Sequence, residues 1–391
     1  MDFQETQYAT NGYILEKRLG QGASGTVWLI RRNDEYFALK HISYHEQIDP
    51  IRINLHGGDR QQALNALRNN LETLRREISI VQDLSGRSSH LVRYFDHECR
   101  EAGSERDVCI DIWIRKEYCD HVLSDLIENR QIGLYAALRY IIHISLALVN
   151  LHSKGIVHRD IKPANIMVTG DLSKAYAKLD DFGQARRIGP NYTCSYRHQG
   201  TFLYSAPEVD DNMPNIDWKR ADIFSMGTTA YETLTGNVPF WEDDMRTLDQ
   251  RSFEDRLSSN KRCHRLGVMD SLDDCLKALL LKATHPDANL RFPDAEAMHE
   301  ELVTCVKGMG DRSMKDFCLT RNSAAIERAR VLYQALCDVR QQADDWRCLG
   351  NVAYHEGRTD DAAQCYRKAI DIDPDDKYSK ENLDTVTAEN H

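Results

Sequence analysis

His158-Arg159-Asp160-Ile161-Lys162-Pro163-Ala164-Asn165 brings a carboxylate, an amine and an amide together near the middle of a chain of 391 residues. Asp181-Phe182-Gly183 follows this stretch, and Ala206-Pro207-Glu208 comes next. Upstream, Gly20-Gln21-Gly22-Ala23-Ser24-Gly25-Thr26-Val27 is a glycine-rich turn, in which the backbone can approach phosphates closely because glycine has no Cβ. Each short motif alone could arise by chance, but the ordered set indicates a site for phosphate chemistry.

The glycine-rich turn by itself is also compatible with an ordinary hairpin and with a dinucleotide-binding turn. A dinucleotide-binding turn lies between a strand and a helix. Here segments rich in β-forming residues precede and follow the turn, at Tyr13–Glu16, Thr26–Ile30 and Tyr36–Lys40, so the pattern predicts strands on both sides. A glycine-rich loop between strands, followed by Ala38-Leu39-Lys40, is typical of protein kinases.

The chain resembles the eukaryotic-type (Hanks-type) serine/threonine protein kinases over Tyr13–Val306, and the His158–Asn165 stretch matches the catalytic-loop signature HRDxKxxN of that family. The resemblance implies an α+β, two-lobe protein kinase fold over 13–306. A small β-rich N-lobe would occupy about 13–118, and a larger helical C-lobe about 119–306. It also implies ATP and Mg²⁺ as cofactors, and serine and threonine hydroxyls of proteins as acceptors.

The same resemblance assigns roles to individual residues. Asp160 would accept the proton of the substrate hydroxyl, Lys162 would lie near the γ-phosphate, and Asn165 and Asp181 would bind Mg²⁺. Lys40 would hold the other phosphates, with Glu77, or else Glu72, as its helix partner. The ATP-binding residues would be Leu19, Gly20, Gly22, Gly25, Val27, Ala38, Lys40, Glu117, Cys119 and Met167. Asp222 would brace the catalytic loop, and Arg291 would pair with Glu208. Such a set suits phosphoryl transfer, because catalysis there depends mainly on positioning and charge neutralisation.

The segment between Asp181 and Glu208 would be the activation segment. Thr193 or Ser195 is the expected site of autophosphorylation, with Arg159 as a possible anchor for the phosphate. Thr201 would instead serve structurally in the substrate pocket.

Two residues depart from the family's pattern. Lys116 stands where a neutral residue usually lies behind the adenine, so either the alignment is off by one residue or Lys116 affects nucleotide fit. Asp180 precedes Asp181 where a small or neutral residue is usual, and two adjacent carboxylates near Mg²⁺ would perturb each other's proton affinity. The alternative is that Asp180 points away and hydrogen-bonds to backbone.

The long interval between Lys40 and Glu77 predicts an inserted loop over about 43–60, either a solvated surface loop or a regulatory element. A helix is expected next, at Gln61–Leu84, where apolar residues recur at helical spacing. Strands are expected at Leu91–Phe95 and Val108–Ile114. The helices expected in the C-lobe are Ala136–His152, Ala221–Leu234, Leu272–Ala283 and Ala295–Val306.

A second pattern lies near the C-terminus. Trp346, Gly350, Gly357, Ala362, Tyr366, Ala369 and Pro374 follow one another at the spacings of a tetratricopeptide repeat. We expect a boundary near Lys307, a linker and degenerate repeat over 307–342, and a tetratricopeptide-like repeat with a capping helix over 343–391. Because one repeat cannot bury its apolar face, this all-α helical-repeat module would pack on the kinase, bind a protein partner or self-associate.

The composition is that of a globular protein, with 41% hydrophobic and 28% charged residues and a formal net charge of −11. Nucleic-acid binding is not expected, because it needs a basic surface. No stretch approaches the roughly 18 apolar residues of a membrane span, and the N-terminal residues lack the layout of a secretory signal. Eleven scattered cysteines without a CxxC pair indicate reduced thiols and a cytoplasmic location.

Two alternatives to an active protein kinase stay open. The first is a pseudokinase scaffold that binds nucleotide without phosphoryl transfer, which Lys116 and Asp180 keep possible. The second is a small-molecule phosphotransferase on a related fold, which the Gly200–Glu208 stretch disfavours because it resembles peptide-substrate machinery.

Overall fold

The computed structural model describes residues 3–22, 25–47, 62, 78–103, 107–172, 174–188, 202–210, 215–340 and 342–389. A short 3-10 helix, Phe3–Glu5, and helix α1, Gln7–Thr10, precede a five-stranded antiparallel sheet. Its strands are β1 (Ile14–Gly22), β2 (Gly25–Arg32), β3 (Glu35–Gln47), β4 (Tyr94–Gly103) and β5 (Asp107–Glu117), in the order β1-β2-β3-β5-β4. Helix α2 covers residues 78–85.

The two faces of this sheet bury different sets of residues, because successive side chains of a strand point to opposite faces. On the inner face, Ile42, Ile112 and Ile114 belong to the same apolar core as Ile78 and Val81 of α2. The outer face carries a separate cluster, in which Phe3, Tyr8 and Tyr13 pack with Ile30, Leu39 and Trp113. The sheet is therefore covered on both sides, and its inner face looks towards the C-lobe.

The C-lobe is built mainly from helices. Its elements in chain order are β6 (His121–Val122), α3 (Leu123–Glu128), α4 (Leu134–Ser153), β7 (Ile156–Val157), β8 (Ile166–Thr169), β9 (Tyr176–Leu179), β10 (Arg186–Arg187), α5 (Pro207–Asp210), α6 (Trp218–Thr235), α7 (Gln250–Arg262), α8 (Asp274–Ala283) and α9 (Ala295–Thr320). Helices α4 and α6 form the centre, and β6-β8-β9 make a small sheet beside them.

Helix α4 is long and apolar enough to cross a membrane by length and composition, although the sequence pattern predicted no such stretch. Most of this helix is buried inside the protein, where it packs against α6 and α9. The central helix of a soluble protein has the same length and apolar composition, so these two properties alone are weak evidence for a membrane span.

Four further helices follow: α10 (Ser323–Cys337), α11 (Ala343–His355), α12 (Thr359–Ile372) and α13 (Lys377–Glu389). The linker expected from Lys307 is instead helix, because α9 runs without a break from Ala295 to Thr320. Its second half packs against α10, and α10 packs against both α11 and α4. The repeat helices thus stack directly on the C-lobe.

One contact recurs in the two helix pairs. In α11–α12, Gly350 lies under the Tyr366 ring, whose hydroxyl donates to Asn351 Oδ1 at 2.9 Å. In α9–α10, Gly310 lies under the Tyr333 ring, whose hydroxyl donates to Asp311 Oδ1 at 2.6 Å. The end of α9 and α10 therefore form a helical hairpin with the same close packing as the tetratricopeptide-like pair.

The structure corrects several local expectations. Strand β3 continues to Gln47, so the start of the expected loop at 43–60 is strand, and the rest of that loop lies outside the described residues. The strand expected at Leu91–Phe95 begins only at Tyr94. Leu91 instead forms an isolated bridge with Leu179, in which the amide of Val92 donates to the Leu179 carbonyl and the carbonyl of His90 accepts from the Leu179 amide. Helix α7 was missed because its sequence is strongly polar.

Cys275 on α8 and Cys305 on α9 form a disulfide with a Cα–Cα distance of 5.8 Å. The prediction of reduced thiols throughout the chain is therefore wrong for this pair. The two residues are separated by 30 positions, and only the packing of α8 against α9 brings them within the range that a disulfide requires.

The glycine–tyrosine packing predicts opposite effects of two neighbouring substitutions on α9. A Cβ at Gly310 would lie 2.9 Å from the Tyr333 ring, whereas the nearest described atom to a Cβ at Gly308 would be the tip of the Arg312 side chain, at 3.4 Å. Alanine favours a helix over glycine by about 1 kcal/mol, while overpacking costs about 1–3 kcal/mol. We expect Gly308→Ala to raise the free energy of unfolding in urea and Gly310→Ala to lower it. Shifts in the same direction would contradict the packing.

Candidate active site

The glycine-rich turn is formed where β1 and β2 meet, and Gly22 pairs with Gly25. Gly25 has a φ of +118°, and a Cβ at this position would overlap the carbonyl oxygen of His41. Among the residues that the structure describes, none has an atom within 4 Å of the positions that a Cβ would take at Gly20 and Gly22. Gly25 is thus required by its positive φ and by the close approach of β3.

The residues assigned to adenine lie around the junction of the lobes. Ala38 on β3 is buried, Val27 and Met167 are half-buried, and Leu19 is exposed. The backbone amide of Glu117 donates to the carbonyl of Arg93 at 2.8 Å, so the carbonyl is the group that Glu117 could offer to a base. Burial raises the pKa of Cys119 to about 12, which keeps this thiol protonated and unreactive.

Lys40 on β3 points from the inner face of the sheet to Asp181, with Nζ 2.6 Å from Oδ1. Lys40 is only 3% exposed, and a buried ammonium needs a partner of opposite charge. Asp181 has a left-handed backbone with a φ of +60°, which is uncommon outside glycine and costs about 1–3 kcal/mol. Glu77 and Glu72, the expected helix partners of Lys40, lie outside the described residues.

The catalytic loop joins three of the predicted site residues through hydrogen bonds. Asn165 Nδ2 donates to the Asp160 carboxylate at 2.8 Å and to the Asp160 carbonyl at 2.7 Å. Lys162 Nζ lies 3.0 Å and 2.9 Å from the two oxygens of the same carboxylate. The Asp160 carboxylate is therefore fixed by a lysine and an amide, and it lies at the surface of the cleft.

Asp222 holds this loop in place from the start of α6. Its carboxylate accepts from the backbone amides of His158 and Arg159, both at 2.7 Å, and lies 3.0 Å from His152 Nε2. Arg159 has a φ of +70°, so Asp222 stabilises a strained backbone next to Asp160.

The residues assigned to Mg²⁺ fit a hard cation by their chemistry. The backbone amide of Asp180 donates to the carbonyl of Asn165 at 2.9 Å, so the chain segments that carry Asp181 and Asn165 are joined at their backbones. Because the nitrogen of the Asn165 side-chain amide is engaged by Asp160, its oxygen is the end left to face a cation. Carboxylate and amide oxygens are the ligands that Mg²⁺ prefers.

The two unusual residues contact each other. Lys116 Nζ forms a salt bridge with Asp180 Oδ2, and Tyr94 donates its hydroxyl to Asp180 Oδ1 at 3.2 Å. Burial raises the pKa of Tyr94, and the charges of Asp180 and Asp181 raise it further, so its hydroxyl keeps its proton and acts as the donor. The Asp180 carboxylate thus bonds to side chains, so the alternative that it hydrogen-bonds to backbone is wrong. Lys116 lies on the inner face of the sheet.

The far end of the activation segment is anchored by side chains in the C-lobe. Arg291 and Glu208, expected to pair, form a bidentate salt bridge with distances of 2.7 and 2.8 Å. Tyr204 donates to Glu232 at 2.5 Å. Thr193, Ser195 and Thr201 lie outside the described residues.

Sequence reasoning missed Lys261 of α7. Its ammonium is fully buried, lies 2.8 Å from Asp210 and also bonds the carbonyl of Phe202. No sequence signal pointed to it, since it lies in the polar helix that the pattern did not predict.

Comparison with known proteins agrees with this geometry. The protein kinase domain model matches residues 13–303, and the tetratricopeptide repeat model matches residues 343–376. The chain therefore belongs to the protein kinase family and carries a C-terminal tetratricopeptide repeat, which confirms the predicted fold class.

Several of the relatives it matches are named serine/threonine-protein kinases. Ppk11 of Schizosaccharomyces pombe is 35% identical over 45% of this chain and 53% of its own length. PknB of Mycolicibacterium smegmatis is 32% identical over 52% of this chain and 32% of its own. Nek5 of Homo sapiens is 28% identical over 60% of this chain and 30% of its own. The chain spans about half the length of such relatives, or less.

The buried Arg291–Glu208 pair predicts a large loss of stability when the arginine is removed. Arg291→Met would leave the half-buried Glu208 carboxylate and three backbone carbonyls without their donor. Breaking a buried ion pair costs about 3–5 kcal/mol, and we expect a loss of this size in urea unfolding. Arg312→Met, which breaks an exposed pair with Asp273, is the control and should cost less than about 1 kcal/mol. Equal losses would contradict the prediction.

Proposed function

We propose that this chain catalyses the transfer of the γ-phosphoryl group of ATP to serine and threonine hydroxyls of proteins. The observation that carries the proposal is the hydrogen-bonded group of Asp160, Lys162 and Asn165. It lies next to the Lys40–Asp181 pair, because the backbone of Asn165 bonds that of Asp180. A carboxylate, two lysines and two oxygen donors in one cleft are the groups that phosphoryl transfer requires.

Each residue has a defined task in this reaction. Asp160 orients the acceptor hydroxyl and takes its proton, while the acceptor oxygen bonds to the γ-phosphorus and the bond to the bridging oxygen of ADP breaks. Lys162 and Asn165 hold the Asp160 carboxylate in position. Lys40 binds phosphate oxygens, and Asn165 and Asp181 would hold Mg²⁺, which neutralises charge on the phosphates when bound.

Autophosphorylation at Thr193 or Ser195 is part of this proposal. Arg159 supports it, because its guanidinium stacks on Trp218 at 4.0 Å beside the catalytic loop and could bind a phosphate by charge-assisted hydrogen bonds. Thr201, which precedes Phe202 in the chain, would serve in the substrate pocket. A cytoplasmic role in signalling would suit such an enzyme.

Replacing the proposed base tests phosphoryl transfer directly. Asp160→Asn keeps the size of the side chain but cannot accept the proton, so we expect phosphate incorporation from Mg-ATP to fall about 100-fold or more. The purified chain itself, a generic protein acceptor and a small-molecule alcohol would be assayed side by side. Asp274→Asn makes the same change at an exposed helix start and should have no effect.

The outcomes separate the alternatives. Equal labelling by parent and Asp160→Asn would place transfer elsewhere. Nucleotide binding with no labelling of any acceptor would favour a pseudokinase scaffold. Transfer to the alcohol alone would favour a small-molecule phosphotransferase.

The repeat module would bind an acidic segment of a protein partner. A cleft of about 670 Å³ lies between α4, the turn before β9 and helices α10–α12. Five lysines and arginines line it against two aspartates, although the whole chain is acidic. Arg330 and Arg358 are already bridged by Glu356, whereas Lys174 is exposed and Lys368 lies 4.0 Å from the Trp346 ring.

Charge reversal at the two lysines tests this surface. We expect a dye-labelled hexaglutamate peptide to bind the parent in a salt-sensitive manner, and Lys174→Glu/Lys368→Glu to weaken its binding at least tenfold. Lys380→Glu, on α13 and outside the cleft, is the matched control. Equal affinity for both variants would exclude the cleft as the site. If light scattering shows that the parent is a dimer and that one of the variants is a monomer, self-association is favoured instead.

A further inference from the structure

Two lysines on the inner face of the sheet each hold one of two consecutive aspartates. Lys40 on β3 contacts Asp181, and Lys116 on β5 contacts Asp180. In the strand register Ala38 lies opposite Lys116 and Lys40 lies opposite Ile114, so the two lysines are diagonal neighbours on one face, roughly 7–8 Å apart at their backbones. Two ammonium groups and two carboxylates are therefore packed at the back of the nucleotide cleft.

The inner pair is the more deeply buried. Lys116 and Asp180 are 6% and 2% exposed, and the side chain of Asp181 is 18% exposed. Asp180 is bound on several sides: Tyr94 and Lys116 hold its carboxylate, and His158 Nε2 lies 3.0 Å from its carbonyl. Tyr94 and Lys116 are register partners on β4 and β5, so two neighbouring strands of the N-lobe reach the residue before Asp181.

The geometry of this arrangement depends on which lysine pairs with which aspartate. Burying an ion without a partner costs several kcal/mol. If Lys116 were neutral, the Asp180 carboxylate would attract Lys40, which lies on the same face. If Asp180 were neutral, Lys116 would attract the Asp181 carboxylate. Either change would draw a residue of the proposed phosphate or metal site into the wrong pair.

We propose that Lys116 and Tyr94 are positioning residues, which hold Asp180 so that Lys40 engages the phosphates of ATP and Asp181 engages Mg²⁺. The inference rests on the proposed function for its choice of ligand. It accounts for both departures from the family's pattern together, because each compensates the other.

A double-mutant cycle read on nucleotide binding tests the proposal. The probes are Mg-ATP and ATP with excess chelator, and the dissociation constants are measured by calorimetry. We expect Lys116→Met to weaken Mg-ATP binding at least tenfold, since Asp180 then competes for Lys40. Asp180→Asn should abolish most of the difference between the two probes, since Lys116 then occupies Asp181. Lys116→Met/Asp180→Asn removes both charges and should recover the parent affinity to within about threefold.

The control is Arg115→Met. Arg115 lies next to Lys116 on β5, but it pairs with Asp96 on β4 and so lies on the outer face of the sheet, away from Asp181. We expect it to leave both dissociation constants unchanged. Unfolding of every variant is followed by melting temperature, and binding is measured below the lowest transition.

The possible results distinguish a positioning role from a purely structural contact. Weak binding in both single variants with recovery in the double variant supports the proposal. Unchanged affinities in all three, with only lower melting temperatures, would reduce the pair to a structural contact and overturn it. The cycle measures binding and not phosphoryl transfer. A parent that binds Mg-ATP but transfers no phosphate would therefore contradict the proposed function, while the binding constants would still test the positioning role.

Discussion

The hydrogen bonds from two successive backbone amides to Asp222 are the constraint on which the rest of the site depends. His158 and Arg159 both donate to this one buried carboxylate, and Arg159 is held in a left-handed conformation as a result. Backbone strain of this kind persists only where the surroundings over-determine it. The side chain of Asp160 then emerges in a fixed direction, His158 reaches the carbonyl of Asp180, and the backbone of Asn165 binds the amide of Asp180. One carboxylate on α6 thereby sets the positions of both aspartate-bearing loops.

The N-lobe reaches the same point by an independent route. Two lysines on its inner face form salt bridges, Lys40 with Asp181 and Lys116 with Asp180. The sheet therefore binds the same Asp180–Asp181 segment that the catalytic loop binds from the C-lobe. Because buried ions must be paired, the number of lysines on that face has to match the number of carboxylates. A second aspartate before Asp181 is compatible with a charged site only because β5 supplies a second ammonium. The sheet and the catalytic loop are therefore coupled by electrostatics as well as by packing.

The sequence predicted those parts of the site whose chemistry is concentrated in short segments. Asp160, Lys162 and Asn165 lie within one loop, and their mutual hydrogen bonds follow from local spacing. Tyr94, Lys116 and Asp180 lie on three separate segments, and their partnership depends on strand register, which no local pattern specifies. For the same reason Lys261 was missed: it lies in a helix that has few apolar residues, and only its tertiary contacts with Asp210 and Phe202 reveal its importance. Leu91 and Val92 show the converse error, since an apolar pair suggested a strand but pairs with Leu179 outside the sheet.

The linker expected after Lys307 is helix in the structure, and this changes how the repeat module should be understood. Gly308 and Gly310 lie in this segment, and glycine weakens a helix. In the structure Gly310 is instead required by the Tyr333 ring that packs on it, so the glycine marks a close helix contact within one continuous helix. A flexible linker would allow the repeats to move independently of the kinase, whereas a shared helix fixes their orientation relative to α4. A ligand that orders the repeat helices therefore acts on elements that are connected, through the packing of α9 and α10, to α4, the central helix of the catalytic lobe.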